Sequence, residues 1–422
     1  MSPNFQLHIG ANRLATLTFD SPERKVNVFG RAAFAELERL LAELPGRADI
    51  GCLVLLSGKE GSFIAGADLD DIARVTDPIE AEAGARAGQR LFAAWEALPF
   101  PTVAAIRGIC LGGGTEISLA STWRVASDRP DTRIGLPEVR LGILPAWGGS
   151  VRLPRRIGVT AALDMILTGK TVSARSALKS GLVDALFPEA RFLDLVRDFA
   201  LARLDQARKD GGEGQGGWKG LLLEKNPLGR KIVFDQARKK TLEQTKGHYP
   251  APLRALEVVR VGVEDGARAG FDAEARAVTE LAIGRVAKNL IHVFRLGEET
   301  KKDPGLTGGE ALPVRAVAVL GAGTMGGGIA QLVAQEAGVP VRLKDVDHGA
   351  LARGMEHAAG LFDRLVKKRR LSRAEERRKL ALIQPTLDYS GFGRSDLVIE
   401  AIVEKLAVKQ AVFAEVAAVV RE

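Results

Sequence analysis

Twice in this chain a short apolar run empties into a cluster of glycines that opens onto helix-forming sequence. The two places are VAAIRGICLGGGTE, residues 103–116, and VRAVAVLGAGTMGGG, residues 314–328. Few arrangements suit such a pattern. An apolar run of this length, bounded by turn residues, reads as a buried strand. Glycines let the backbone turn tightly and approach a ligand with no side chain in between. The first N–H groups of a helix have no intrahelical partner and point outward, so each cluster also offers donors to an anionic ligand. Strands that alternate with helices in this way argue for an α/β layer structure.

The rest of the chain fits that class. LHIGANRLATLTF, within residues 5–20, reads as two strands around a Gly-Ala-Asn turn. Residues 31–44 predict an amphipathic helix with Phe34, Leu37, Leu40, Leu41 and Leu44 on one face. CLVLLSG, residues 52–58, predicts a buried strand, and Asp68 or Asp70 in FIAGADLDDI is placed to cap a helix. Residues 83–97 are helical in pattern, EISLASTWRVAS reads as helix then strand, and residues 150–190 read as helices with short connections. Helical pattern resumes at 191–209, and DGGEGQGG, residues 210–217, predicts a mobile loop. Residues 218–300 read as several helices around breaks such as NPLG and HYPAP. KKDPGLTGGE, residues 301–310, is a linker. No internal repeat is visible.

Length and composition narrow the function classes. A chain of 422 residues suggests two or three domains, and 46% apolar with 27% charged residues is ordinary for globular protein. The two cysteines, Cys52 and Cys110, form no CxxC or metal-ligand spacing. A reduced, cytoplasmic setting without disulfides or a metal is expected. No stretch approaches the roughly 18 uncharged apolar residues of a membrane span, and MSPNFQLHIG lacks the pattern of a secretory signal. The net charge of +8 is spread among acidic residues, apart from KKRRLSRAEERRK at residues 367–379. That run reads as a solvated helix face, and without interleaved aromatics it gives no support to nucleic-acid binding.

Glu116 closes GICLGGGTE, and Glu138 sits in IGLPEVRLGILPAWGG, residues 134–149. Two carboxylates beside glycine loops suit proton chemistry next to a carbonyl whose oxygen is held by backbone amides. One would activate a water, and the other would deliver a proton to the carbon beside the carbonyl. Two such charges raise each other's proton affinity and keep one proton shared. The plainer reading makes Glu116 a residue that favours a helix dipole and Glu138 a solvated loop residue.

FIAGADL, GICLGGGTE and IGLPEVRLGILPAWGG, in this order and spacing, resemble the signature segments of the enoyl-CoA hydratase/isomerase (crotonase) family. The resemblance implies an N-terminal ClpP/crotonase-like β-β-α superhelix. It implies an oxyanion hole from the N–H groups of Ala67 and Gly113, with Glu116 as the water-activating base and Glu138 as the α-carbon proton donor. Family members that only isomerise often lack one of the two glutamates. Both are present, so hydration of trans-2-enoyl-CoA is expected, with a 3-enoyl shift as a second activity.

GAGTMGGGIAQLVAQEAGVPVRLKD, residues 321–345, follows a strand, opens a helix and ends a second apolar strand in an acid. Gly321, Gly323 and Gly326 supply the tight turn, the approach of a pyrophosphate and the helix packing of a dinucleotide site. Asp345, 24 residues beyond Gly321, is placed to hold ribose hydroxyls and to repel a 2′-phosphate, which favours NAD. The segment resembles the start of L-3-hydroxyacyl-CoA dehydrogenase, and DLVIEAIVEKLAVKQAVF, residues 396–413, extends the match. The resemblance places Glu404 and Lys409 on the nicotinamide side and the Met325 amide at the pyrophosphate. Lys409 also reads as an ordinary exposed helix lysine.

FDQARKKTLEQTKGHYPAP, residues 234–252, resembles the linker of the α subunit of bacterial multifunctional β-oxidation enzymes. That family implies acyl-CoA substrates and a thiolase β subunit as partner. The expected domains are 1–190 (hydratase/isomerase), 191–310 (helical extension and linker) and 311–422 (the first part of a Rossmann fold). The family's catalytic histidine has no counterpart among His8, His248, His292, His348 and His357. The last domain is therefore expected to be incomplete, with three parallel strands and an open edge, to bind NAD weakly and to transfer no hydride. An enzyme that is mainly an isomerase, and an idle CoA- or NAD-binding assembly module, remain as other readings. The sequence leaves chain-length preference and oligomeric state open.

Overall fold

The computed structural model describes residues 3–22, 24–206, 226–302, 312–368 and 370–420. The glycine-rich stretch at 210–217 and most of the linker at 301–310 lie outside those residues. The fold divides into two compact units, Met1–Pro304 and Gly305–Glu422.

The first unit begins with an antiparallel pair, β1 (Phe5–Ile9) and β2 (Leu14–Phe19), with Phe5 opposite Phe19. Next come β3 (Cys52–Ser57), β4 (Ser62–Ile64), β5 (Thr102–Ile106), β6 (Ile109–Leu111), β7 (Trp123–Ser127), β8 (Arg133–Gly135), β9 (Thr171–Ser173) and β10 (Ala185–Phe187). They sort into two sheets. The larger runs β1-β2-β3-β5-β7-β10, and the smaller runs β4-β6-β8-β9. From β2 onward the larger sheet is parallel. Its central strands β3 and β5 are apolar apart from Ser57 and Thr102 at their ends, because both faces are covered, as in parallel sheets generally. Along β3, Leu53 and Leu55 face one core while Cys52 and Val54 face the other.

Three successive stretches of chain repeat one path: a strand in the large sheet, a strand in the small sheet, then a helical turn. β3 and β4 lead to the Leu69–Arg74 helix, β5 and β6 to the Gly113–Ala120 helix, and β7 and β8 to the short Glu138–Leu141 turn. Because β4, β6 and β8 are parallel neighbours, the three loops leave the small sheet side by side. This is the β-β-α superhelix of the crotonase fold.

Helices Pro227–Thr245, Pro250–Glu264, Ala267–Ala282 and Arg285–Lys302 follow. Pro227 and Pro250 open two of them, where proline's missing N–H costs nothing. Gly262 and Gly270 let two of these helices meet: a Cβ on Gly270 would stand 2.7 Å from the Gly262 Cα. Phe234, Ala255, Val259, Ala275 and Val278 belong to the same core as the sheets. The extension is thus packed into the first unit.

The second unit holds a wholly parallel sheet of β11 (Val317–Leu320), β12 (Val341–Lys344), β13 (Ile383–Thr386) and β14 (Leu397–Glu400), ordered β13-β12-β11-β14. The sequence predicts three strands, but four form. The short LVIE run pairs with β11 on the side away from β12, and this is the strand order of a doubly wound dinucleotide fold. Both faces are packed, one around Val319, Leu343 and Phe362 and the other around Leu320, Phe392 and Val416. The part of the basic run from Arg373 onward lies in the Arg373–Leu380 helix, which opens on a Ser372–Glu375 capping box and has no buried residue.

Candidate active site

The superhelix explains why distant motifs meet. Ala67 lies three residues beyond Ile64 at the end of β4, Gly113 opens the helix after β6, and Glu138 follows β8. The loops touch: a Cβ on Gly66 would stand 3.7 Å from the Gly113 nitrogen, and one on Gly112 would stand 3.5 Å from the Gly66 Cα. Gly66 and Gly112 adopt φ of +112° and +52°, so a side chain there would be strained as well as crowded. Phe29 N–H bonds Gly66 O and Asp68 N–H bonds Phe29 O, a pattern that turns the Ala67 N–H the other way. Among the described residues, the amides of Ala67 and Gly113 have no acceptor. Both border one cavity of about 560 Å³ that also takes in Glu116, Glu138 and Trp147.

Glu116 is buried, and its Oε1 accepts from the Trp147 and Gly149 amides, each at 2.8 Å. Burial lifts its carboxyl to about 7, against the pull of those two amides and of Arg152. Glu138 begins the turn after Pro137, and its Oε1 stands over Gly112, where a Cβ would be 3.1 Å away. Its Oε2 is buried without a hydrogen-bond partner. Burial and the charges of Glu116 and Glu274 push the Glu138 carboxyl well above the usual range. The two glutamates are thus unequal. Glu116 has donors that favour the anion, whereas Glu138 has an orphaned oxygen that favours the acid.

Sequence reasoning missed a third carboxylate. Glu274, on the Ala267–Ala282 helix, is fully buried. It accepts from Gly148 N–H at 2.7 Å, Ser150 N–H at 3.1 Å and Gln89 Nε2 at 3.2 Å. The signal was available: Glu274 lies on the same face as Gly270, Val278 and Leu281, a charge on the apolar stripe of an amphipathic helix. Val278 and Ala282 of that helix also line the cavity. Trp147 packs edge-on against Phe29, Phe34 and Phe92. Its ring fills the space that side chains at Gly88 and Gly113 would need.

In the second unit, Gly321 has φ of +94°, and a Cβ there would stand 2.5 Å from Ala401 O. A Cβ on Gly326 would overlap the Gly321 carbonyl, whereas Gly323 faces open space. Asp345 Oδ2 accepts from the Ala322 amide at 2.6 Å, which ties the end of β12 to the glycine turn. Met325 is largely exposed on the first turn of the Thr324–Leu332 helix. Lys409 pairs with Glu400, at the end of β14, at 2.8 Å and with the exposed Glu404 at 3.0 Å. Those two bonds hold its ammonium above the usual lysine range. A cavity of about 640 Å³ runs from Ala322, Gly323 and Thr324 along the His348–Lys367 helix, past Arg353 and His357. The sequence reading gave His357 no place in a site. Among the described residues no cluster fit for a metal is present, and no helix is long and apolar enough to cross a membrane.

Crotonase fold and dinucleotide fold are therefore both present, in that order. Residues 10–210 match the family model described as enoyl-CoA hydratase/isomerase, and residues 316–422 match the NAD-binding domain of 3-hydroxyacyl-CoA dehydrogenase. The chain thus carries a stretch similar to the first family, followed by a stretch similar to the NAD-binding domain of the second. Among solved structures, human mitochondrial delta3-delta2-enoyl-CoA isomerase is 22% identical with a TM-score of 0.50, covering 70% of this chain and 99% of its own. An enoyl-CoA hydratase from Bacillus anthracis is 25% identical with a TM-score of 0.44, covering 71% and 96%. An enoyl-CoA hydratase/isomerase from Pseudoalteromonas atlantica is 22% identical with a TM-score of 0.49, covering 70% and 97%.

The buried glutamates give the first unit a defined pH response. An unfolded glutamate titrates near about 4.3, whereas Glu116 and Glu274 release their protons at about 7 and about 8. Across that window the folded chain holds protons that the unfolded chain has lost, so stability falls as pH rises. Glu116→Gln removes one such group. Denaturant midpoints at about pH 5.5 and about pH 8.5 should differ less in the variant than in the wild type. An equal or steeper fall in the variant would contradict the assignment.

Proposed function

We propose that the first unit hydrates trans-2-enoyl thioesters of coenzyme A. The observation that carries this reading is the shared cavity in which two acceptor-free amides face two unequally protonated glutamates. The thioester oxygen accepts from Ala67 N–H and Gly113 N–H. Ionised Glu116 takes a proton from water as the water oxygen bonds to the β-carbon. The double-bond electrons pass toward the carbonyl oxygen, where the two amides hold the charge. Glu138 then delivers its proton to the α-carbon as the carbonyl re-forms. One water is added, and both protons are accounted for.

Glu116→Gln and Glu138→Gln should each slow hydration by about 100- to 10,000-fold, the range for losing a positioned acid or base. Decay of the conjugated enoyl-thioester absorbance of crotonyl-CoA measures this, and circular dichroism checks the fold. A 3-enoyl substrate run alongside measures the isomerase activity. Near-wild-type decay in both variants would end the two-carboxylate reading.

We infer that the second unit takes NAD. The glycine cradle fits the group: Gly321 and Gly326 are closed against neighbouring backbone, while Gly323 opens to free space. Gly321, Gly323, Gly326 and the Met325 amide would hold the pyrophosphate, and Asp345 the ribose hydroxyls. Glu404 and Lys409 would stand on the nicotinamide side, with Glu400 steadying Lys409. NAD, when bound, supplies a hydride acceptor. Asp345→Ala removes both the ribose acceptor and the brace on Ala322, so NAD affinity should weaken by about 10- to 100-fold. Calorimetric titration of the full chain tests this, and unchanged affinity would remove Asp345 from the site.

A further inference from the structure

The loop that holds Glu116 is itself held from behind. Four successive amides in it alternate between two carboxylates. Those of Trp147 and Gly149 donate to Glu116, and those of Gly148 and Ser150 donate to Glu274. One carboxylate stands in the cavity wall after the glycine run, and the other on a helix more than a hundred residues further along the chain. Gly148 has φ of +107°, the turn that lets neighbouring amides point opposite ways. A Cβ at Gly148 would run into Arg152 and the Phe271 ring, and one at Gly149 would stand 2.9 Å from Glu116 Oε1. Arg152 Nη1 donates to Trp147 O at 3.0 Å, while its Nε and Nη2 hold Glu96.

We propose that Glu274 is a positioning residue for the hydration step: its carboxyl group clamps the Trp147–Ser150 loop, through that loop sets the place of Glu116, and as it ionises adds a negative charge beside Glu138. This rests on the hydratase reading above. Glu274 itself touches no reacting atom. It lies beyond the residues matched by the hydratase/isomerase model, so the helical extension completes the site of the domain before it.

The groups around Glu274 define its electrostatic effect. Glu116 faces it from the Gly113–Ala120 helix and Glu138 from the turn after β8. Arg152 faces it from the Gly149–Ile157 helix, and the neutral Gln89 from the Pro78–Glu96 helix. No buried residue of the Pro250–Glu264 helix is charged. Burial and the Glu116 charge lift Glu274 to about 8. Three carboxyls with a single guanidinium among them titrate as a group. Glu274 is still protonated where Glu116 ionises, and its charge bears on Glu138. Neutralising Glu274 therefore lowers the proton affinity of Glu138, and the pH profile of kcat/KM should move to lower pH on its basic limb, where Glu138 must keep its proton, while its acidic limb stays in place.

The test compares wild type, Glu274→Gln and Glu280→Gln in the full chain. Glu280 is a half-exposed residue of the same helix that pairs with Arg254 at the surface. With crotonyl-CoA, Glu274→Gln should lower kcat roughly 10- to 100-fold through loss of alignment, shift the basic limb of the profile to lower pH, and alter the Trp147 fluorescence isolated by difference against Trp147→Phe. Glu280→Gln should match wild type in all three. Gln89→Met strips one donor from Glu274 and keeps the carboxylate, so it gives a smaller shift in the same direction. This second variant decides the matter if Glu274→Gln does not fold. A lowered kcat with an unmoved pH profile would make Glu274 merely structural, and a Glu274→Gln variant equal to wild type would overturn the clamp. Failure of the hydratase reading is separate: the wild type itself would leave crotonyl-CoA unchanged, and the Trp147 fluorescence comparison would still decide the clamp.

Discussion

Parallel pairing of three very short strands decides what the first unit can do. β4, β6 and β8 are each only three residues long, yet their register brings Ser62 beside Ile109 and Ile109 beside Arg133. Chain segments far apart in sequence therefore leave the sheet at one edge, and their loops share one cavity. A slip of a single residue in any of these strands would turn its side chains to the other face. It would also carry the Ala67 amide, the Gly113 amide or Glu138 away from the others. The large sheet, buried on both faces, and the aromatic cluster around Trp147 keep that register fixed.

The electrostatics follow from the same packing. Carboxyl groups in a closed, mostly apolar space cannot all ionise, so hydrogen bonds decide which one keeps its charge. Two amides on Glu116 and none on Glu138 Oε2 set the order. Glu274 adds a third member to the group and ties it to the helical extension. Burying these groups costs stability, and the cost falls on the unit that carries the proposed chemistry.

Much of this was legible in the sequence. The buried strands at 52–58, 103–108 and 314–320 and a helix cap at Asp68 or Asp70 follow from local pattern and turn chemistry, as does the acid at the end of β12, and the fold decides the cap for Asp68. The glycine clusters and the paired glutamates stood out because backbone approach and proton transfer admit few residue types. Other features depend on distant pairing. The thrice-repeated strand–strand–helix path leaves no repeat in the sequence, because each turn buries different side chains against different neighbours. Neither β13 nor β14 is placed by local pattern, because IQPT and LVIE are each only four residues long and short runs do not separate from the helices beside them. Glu274 is one of many charges in a helical stretch, and its place on the apolar stripe beside Gly270, Val278 and Leu281 is the local sign that it points inward.

The most direct measurement of the central claim is a crystal structure of the full chain with a non-reactive acyl-CoA bound. The account predicts the thioester oxygen within hydrogen-bond reach of both the Ala67 and Gly113 nitrogens. It places the β-carbon of the acyl chain between Glu116 and Glu138, and the rest of the chain running toward Val278 and Ala282. A thioester held elsewhere in the first unit, or one that reaches neither amide, would contradict it.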